Sequence, residues 1–118
     1  MKNTSTGWQR LLAATRYSWQ GLRSAYNGEA AFRQEVWLAI IAVPLALFAG
    51  QTTLERGLLL SSILLLLIVE LLNSAIEAVV DRCGEEYHPL SGRAKDMGSA
   101  AVLLTLLLVI IIWISVLL

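Results

Sequence analysis

Three long apolar stretches dominate the chain, and each approaches the roughly 20 helical residues needed to cross a bilayer core. The first runs from Val36 to Gly50 and extends backward through Ala30, Ala31 and Phe32, which predicts a span over about 30–50. It contains Pro44, a residue tolerated in membrane helices where neighbours satisfy the freed backbone groups. The second span is predicted over 57–80, and the third, which carries no charge, over 97–118. Gln51 to Arg56 reads as a tight connection, and 81–96 as a longer polar loop. Ahead of the spans, over 4–27, Trp8, Leu11, Leu12, Thr15, Trp19, Leu22 and Tyr26 recur at spacings of three and four. Arg16, Gln20 and Arg23 fall on another face, the pattern of a helix lying in a membrane surface. Packing of the aromatic stripe against the chain's own spans satisfies the same pattern. The expected fold is therefore an all-α membrane protein, with three transmembrane helices after an N-terminal amphipathic surface helix. It forms one membrane-embedded domain over 1–118.

Composition agrees with this picture. Of 118 residues, 57% are hydrophobic and only 15% charged, above the apolar share of soluble domains. The net charge of zero gives no nucleic-acid-binding surface. The lone Cys83 excludes an intrachain disulfide and fits as a small, semi-apolar residue beside a membrane surface. Arginines scattered through the first 35 residues, with no early apolar run, do not form a secretory signal, so the N-terminus is expected to be retained. Eight of the nine Lys and Arg residues lie in the N-terminal segment and in 81–96, and only Arg56 lies in the first connection. The positive-inside rule then predicts a cytoplasmic N-terminus and 81–96 loop, with the C-terminus on the far side. Trp113 suits an interfacial anchor there.

The second span carries ionisable groups where an apolar layer is expected. At 3.6 residues per turn, Asn73 and Ser74 lie about 60° and 40° to either side of Glu70, and Glu77 and Asp81 return to within about 20° of it. Five polar residues thus share one face, and Glu70 and Glu77 stand about 10 Å apart along the axis. A charged carboxylate near a bilayer centre is unfavourable by roughly 2.5–3.5 kcal/mol even on mild insertion scales, so such groups face a protein interior or a water-filled site. Asn73 and Ser74 are equally well read as polar contacts between helices. Two glutamates seven residues apart point further, to chemistry. Glu70, deeper, suits proton exchange with a bound hydroxyl. Glu77, nearer the headgroups, suits a divalent cation that brings phosphates with it. Glu29 and Glu35 are expected close to the cytoplasmic surface, before the first span, where either can approach the Glu77 end.

In the loop, Arg93 and Lys95 can supply the cations of a phosphate site, although a solvated basic loop gives the same pattern. His88 is read as a turn or surface residue. No Walker A sequence and no protein-kinase signature set occurs.

Three blocks in order resemble the small bacterial integral-membrane diacylglycerol kinases. They are Glu70-Leu-Leu-Asn73-Ser74-Ala-Ile-Glu77-Ala-Val-Val-Asp81-Arg82, the stretch from Ser91-Gly92-Arg93-Ala94-Lys95-Asp96 through Met97-Gly98-Ser99 to Val102, and Glu29-Ala-Ala-Phe32-Arg33-Gln34-Glu35. The resemblance extends to Tyr17-Ser18-Trp19 and the three-span plan. It implies transfer of the γ-phosphate of MgATP to diacylglycerol, making phosphatidic acid. It also implies a multi-pass protein of the bacterial inner membrane, working as a homotrimer with active sites shared between subunits.

The resemblance further implies roles. Glu70 is the expected base, Glu29 and Glu77 hold Mg²⁺ on ATP, and Asn73 and Asp81 support the site. Arg10, Tyr17, Glu86, Tyr87, His88, Lys95 and Asp96 contact the nucleotide. The lipid lies near Arg10, Trp19, Arg23, Tyr26, Phe32, Arg33, Glu35, Arg56, Ser99 and Trp113, with its hydroxyl at Glu70. Ala13, Gly28 and Pro89 depart from the family's pattern, which bears on nucleotide contacts and not on the reaction class. A related undecaprenol kinase would use the same machinery on a polyprenol. A proton-coupled transporter would explain Glu70 alone, and a structural adaptor would need neither glutamate.

Overall fold

The computed structural model describes residues 6–84 and 86–118, which form four helices: α1 Gly7–Gly28, α2 Ala30–Ala49, α3 Thr53–Arg82 and α4 Pro89–Leu117. Thr4 and Ser5, where the surface helix was expected to begin, lie outside the described residues. The helix starts at Thr6 because its hydroxyl accepts from the Gln9 backbone N–H (3.4 Å), and the Gln9 side chain accepts from Thr6 N–H (3.2 Å). This reciprocal pair satisfies two donors that a helix start otherwise leaves open.

Glu29 separates α1 from α2. Its extended backbone (φ −123°, ψ 112°) ends one helix and begins the next. Arg33, one turn into α2, donates through Nη1 to the carbonyls of Tyr26 (2.8 Å) and Asn27 (3.2 Å). A cation on the last carbonyls of α1 complements the negative end of that helix, so the elbow is fixed from both sides.

A short turn joins α2 to α3. Thr52 caps α3 by accepting from Glu55 N–H (3.1 Å). Glu55 Oε1 accepts from Gln51 N–H (2.9 Å), and Arg56 Nη1 donates to the Gly50 carbonyl (2.7 Å). Gly50 is required here, because a Cβ would run into the backbone and stem of Arg56.

Three helices, α2, α3 and α4, are long and apolar enough to cross a membrane. α3 is central and packs most extensively on α4, then on α2. Pro44 leaves α2 helical throughout. Ala46, Leu59 and Ile63 form a small core, with Ala42, Ile112 and Trp113 against it. Trp113 Nε1 donates to Ser62 Oγ (3.0 Å), and Ser62 donates to the Leu59 carbonyl (2.7 Å). Trp113 is thus half-buried between α3 and α4.

The loop expected over 81–96 is much shorter. α3 continues through Arg82 and α4 begins at Pro89, which leaves 83–88 as the connection. His88 Nδ1 accepts from Leu90 N–H (3.1 Å), and proline at the first helical position is pre-set for that role. The left-handed turn before it falls on Gly84 (φ 113°), where a side chain would be strained. Arg93, Lys95 and Asp96 therefore ride on the polar first turns of α4. Hydropathy marks where the apolar layer starts, at Met97, and not where the helix starts.

α1 meets the rest of the chain mainly near the elbow. Trp8, Leu11, Leu12 and Trp19 are exposed, and Ala25 is its buried residue. Most of the aromatic stripe is therefore free of the chain's own spans.

A carboxylate cluster at the junction of the surface helix and the spans

The polar face of α3 turns inward. Glu70, Asn73 and Ser74 are buried, and Glu77 is half-buried. Glu70 lies within electrostatic reach of Glu77, Glu29 and Glu35. The helical period puts Glu70 and Glu77 on one face, and the Glu29 elbow and first turns of α2 bring the other two carboxylates to it. One Glu35 oxygen is buried without a hydrogen-bond partner among the described residues. Asn73 Nδ2 donates to Glu77 Oε1 (3.3 Å), one turn along the helix. Asn73 Oδ1 is buried with no hydrogen-bond partner among the described residues and faces Gly98 of α4.

At the outer end, Lys95 Nζ pairs with Asp81 Oδ1 at 2.7 Å. The hydrogen bond to Asp81, reinforced by that residue's charge, pushes the Lys95 ammonium above its ordinary pKa. Lys95 is also within electrostatic reach of Glu77. A cleft beside this pair is lined by Asp81, Gly84, Glu86, Tyr87, His88 and Lys95. Tyr87 rests against Gly92.

Two apolar grooves flank the cluster. One, of ≈ 300 Å³, is lined by Glu35, Leu38, Leu45, Leu66 and Trp113 among others. The other, of ≈ 450 Å³, is lined by Trp19, Leu22, Arg23, Tyr26, Phe32, Val36 and Leu67. A third cleft, between α1 and α3, contains Glu29, Ser74 and small residues of both helices.

The structure thus gathers Glu29, Glu35, Glu70, Asn73 and Glu77 into one cluster, with Asp81, Lys95, Glu86, Tyr87 and His88 above it. Asp96 and Ser99 are exposed on α4 nearby. Arg10 and Tyr17 are exposed on α1, and Arg10 stands about 28 Å along that helix from Glu29. Tyr17 instead carries the Arg16 guanidinium 5.5 Å over its ring. Arg56 is about 21 Å along α3 from Glu70 and is engaged in the α2–α3 turn. The sequence reading missed Ser62 and Gly98, whose partners lie on another helix. The small residues Gly98, Ser99, Ala100 and Ala101 were the available sign of a close approach.

Carboxylate oxygens are the donor set Mg²⁺ favours. Among the described residues, no three ligating side chains converge closely enough to hold a cation by themselves. A metal bound here would therefore need further oxygens, and phosphates supply such oxygens.

The family profile described as prokaryotic diacylglycerol kinase matches residues 16–117. A diacylglycerol kinase of Escherichia coli (strain K12) is 56% identical over 113 residues, covering 96% of this chain and 93% of that protein. A diacylglycerol kinase of Haemophilus influenzae is 54% identical, covering 92% of each chain. One from Pseudomonas aeruginosa is 51% identical, covering 96% of this chain and 92% of its own. With that profile spanning all three membrane helices and half of all positions identical in such relatives, the chain belongs to the prokaryotic diacylglycerol kinase family.

Proposed function

We propose that the chain phosphorylates diacylglycerol with ATP, forming phosphatidic acid and ADP at the inner membrane of a bacterium. One observation carries the residue assignment: Glu29, from the elbow, and Glu77, from the same helix face, both lie within electrostatic reach of the buried Glu70 where the surface helix joins the spans.

Phosphoryl transfer needs positioning and charge neutralisation more than covalent chemistry. Glu70, buried deepest, accepts the proton of the lipid hydroxyl as its oxygen bonds to the γ-phosphorus. The bond from that phosphorus to the β–γ bridging oxygen breaks, and ADP leaves. Glu29 and Glu77 would hold Mg²⁺ on the nucleotide, which supplies neutralisation of phosphate charge. Asn73 holds one Glu77 oxygen, so that this carboxylate presents a fixed edge. Lys95, released from Asp81, offers an ammonium to the phosphates, and Glu86, Tyr87, His88 and Asp96 border the nucleotide. The apolar grooves suit acyl chains, with Trp19, Arg23, Tyr26 and Phe32 on one side and Glu35 and Trp113 on the other, and Arg33 fixes the elbow beside the first. Ser99, exposed on α4 one residue beyond Gly98, is assigned to the lipid by the family resemblance alone.

The charge distribution supports a cytoplasmic N-terminus and 83–88 connection, where ATP is available. The remoteness of Arg10 from the cluster within one chain supports assembly with further copies, which we read, with the family resemblance, as a homotrimer. In it, the first turns of α1 would serve a neighbouring copy's site.

The test is purified protein in mixed micelles with labelled ATP, Mg²⁺ and diacylglycerol. Labelled phosphatidic acid forms, and Glu70→Gln and Glu77→Gln each abolish turnover. Near-normal rates in both variants would sink the assignment. Faster turnover of a polyprenol than of diacylglycerol would move the substrate class.

A further inference from the structure

Gly98 is buried at the point where α4 crosses the polar face of α3. A Cβ built on it would collide with Asn73 Oδ1 and come within 3.3 Å of Asn73 Cγ. The amide of Asn73 is therefore seated in the space that any other residue at 98 would fill.

Chemistry fixes which way that amide points. Glu77 Oε1 is an acceptor, so Asn73 must turn Nδ2 toward it. A flipped amide would set oxygen against oxygen and aim its donors at a Cα. With Nδ2 committed, Oδ1 must face α4, where no conventional donor among the described residues meets it. A glycine Cα hydrogen occupies the Cβ direction and can make the weak C–H···O contact that recurs between packed helices.

We propose that Gly98 is a positioning residue for Glu77, acting through Asn73: its bare Cα lets the amide reach the orientation that holds the Glu77 carboxylate. This rests on the reading of Glu77 as a metal-holding residue. A side chain at 98 displaces the amide, and Glu77 loses the Asn73 hydrogen bond and its fixed edge.

The test measures Mn²⁺ affinity of the purified full chain in micelles with the β,γ-methylene analogue of ATP, by the spin resonance of free Mn²⁺. Gly98→Ala and Asn73→Ala should each weaken affinity about 10-fold or more, the loss typical when a group supporting a metal ligand is removed. Gly98→Ala added to Asn73→Ala should cost nothing further, because the amide it displaces is gone. A separate, additive loss in the double variant overturns the proposal, since that is what mere helix packing would give. Parent-like affinity in Gly98→Ala, with Glu77→Gln weakened, also overturns it. Parent-like affinity in Glu77→Gln overturns the metal reading and this proposal together. If Gly98→Ala alone fails to fold, recovery of a folded chain in the double variant supports the collision, and failure of both overturns it.

Discussion

Lys95 Nζ lies 2.7 Å from Asp81 Oδ1 and so ties the last turn of α3 to the early turns of α4 across the 83–88 connection. The partner that orders this end of the molecule is also the one that nucleotide phosphates would displace. Asp81→Asn leaves Lys95 without its tether. We expect faster hydrogen exchange in the amides of 83–92, together with a changed KM for MgATP. A reversed pair, Asp81→Lys with Lys95→Asp, should restore the slow exchange and not the turnover. The pKa of Lys95 is raised by this contact, so its contribution is fully present below the ordinary lysine value near ~10.4. It disappears as pH rises through the raised value. Exchange at 83–92 should therefore show no loss of this tie between pH 7 and 9.

Ser62→Ala removes the acceptor for Trp113 Nε1. The cost should be about 0.5–1.5 kcal/mol, the usual net worth of one such bond, read by thermal denaturation in micelles. Ser62 lies about 12 Å along α3 from Glu70, so turnover at the same temperature should stay within about twofold of the parent.

Arg33→Met uncaps the C-terminus of α1 and loosens the elbow that carries Glu29. Turnover should fall while the thermal stability of the spans changes little. Trypsin should cut faster at Arg16 and Arg23, because α1 has few other contacts to hold it.

Chelation of Mg²⁺ should stop turnover without altering the far-ultraviolet circular dichroism. The elements that place Glu29 and Glu77 on either side of Glu70 are held by caps, the Arg33 contacts and helix packing, none of which uses a metal. Loss of helicity on chelation would mean that the metal is a structural staple.

Periodicity alone identified the shared face of Glu70, Asn73, Ser74 and Glu77, because a helix fixes the angle between residues of one element. It also found the spans, since apolar length is a local property. It misjudged the polar stretch after Asp81, because a hydrophilic sequence can be a solvated helix once capped, and here His88 and Pro89 provide the start. Gly98 and Ser62 were invisible for a different reason: their partners sit on other helices, at a register no single-helix pattern specifies. Arg33 and Arg56 look alike in sequence as basic residues beside a span. Only the backbone path shows that both bond to carbonyls where the preceding helix ends, Tyr26 and Asn27 for Arg33 and Gly50 for Arg56.

That second contact bears on how the protein enters a membrane. In the proposed topology, the turn from Gly50 to Thr52 must be carried through the apolar layer as α2 and α3 insert. Stripping water from a bare peptide group or a lone charge there would be costly. The Gly50 carbonyl and the Gln51 N–H are already bonded to Arg56 and Glu55, neighbouring side chains of opposite charge. The polar tip of the α2–α3 hairpin thus brings its own solvation with it, which lowers the barrier to passing the pair of helices through as a unit.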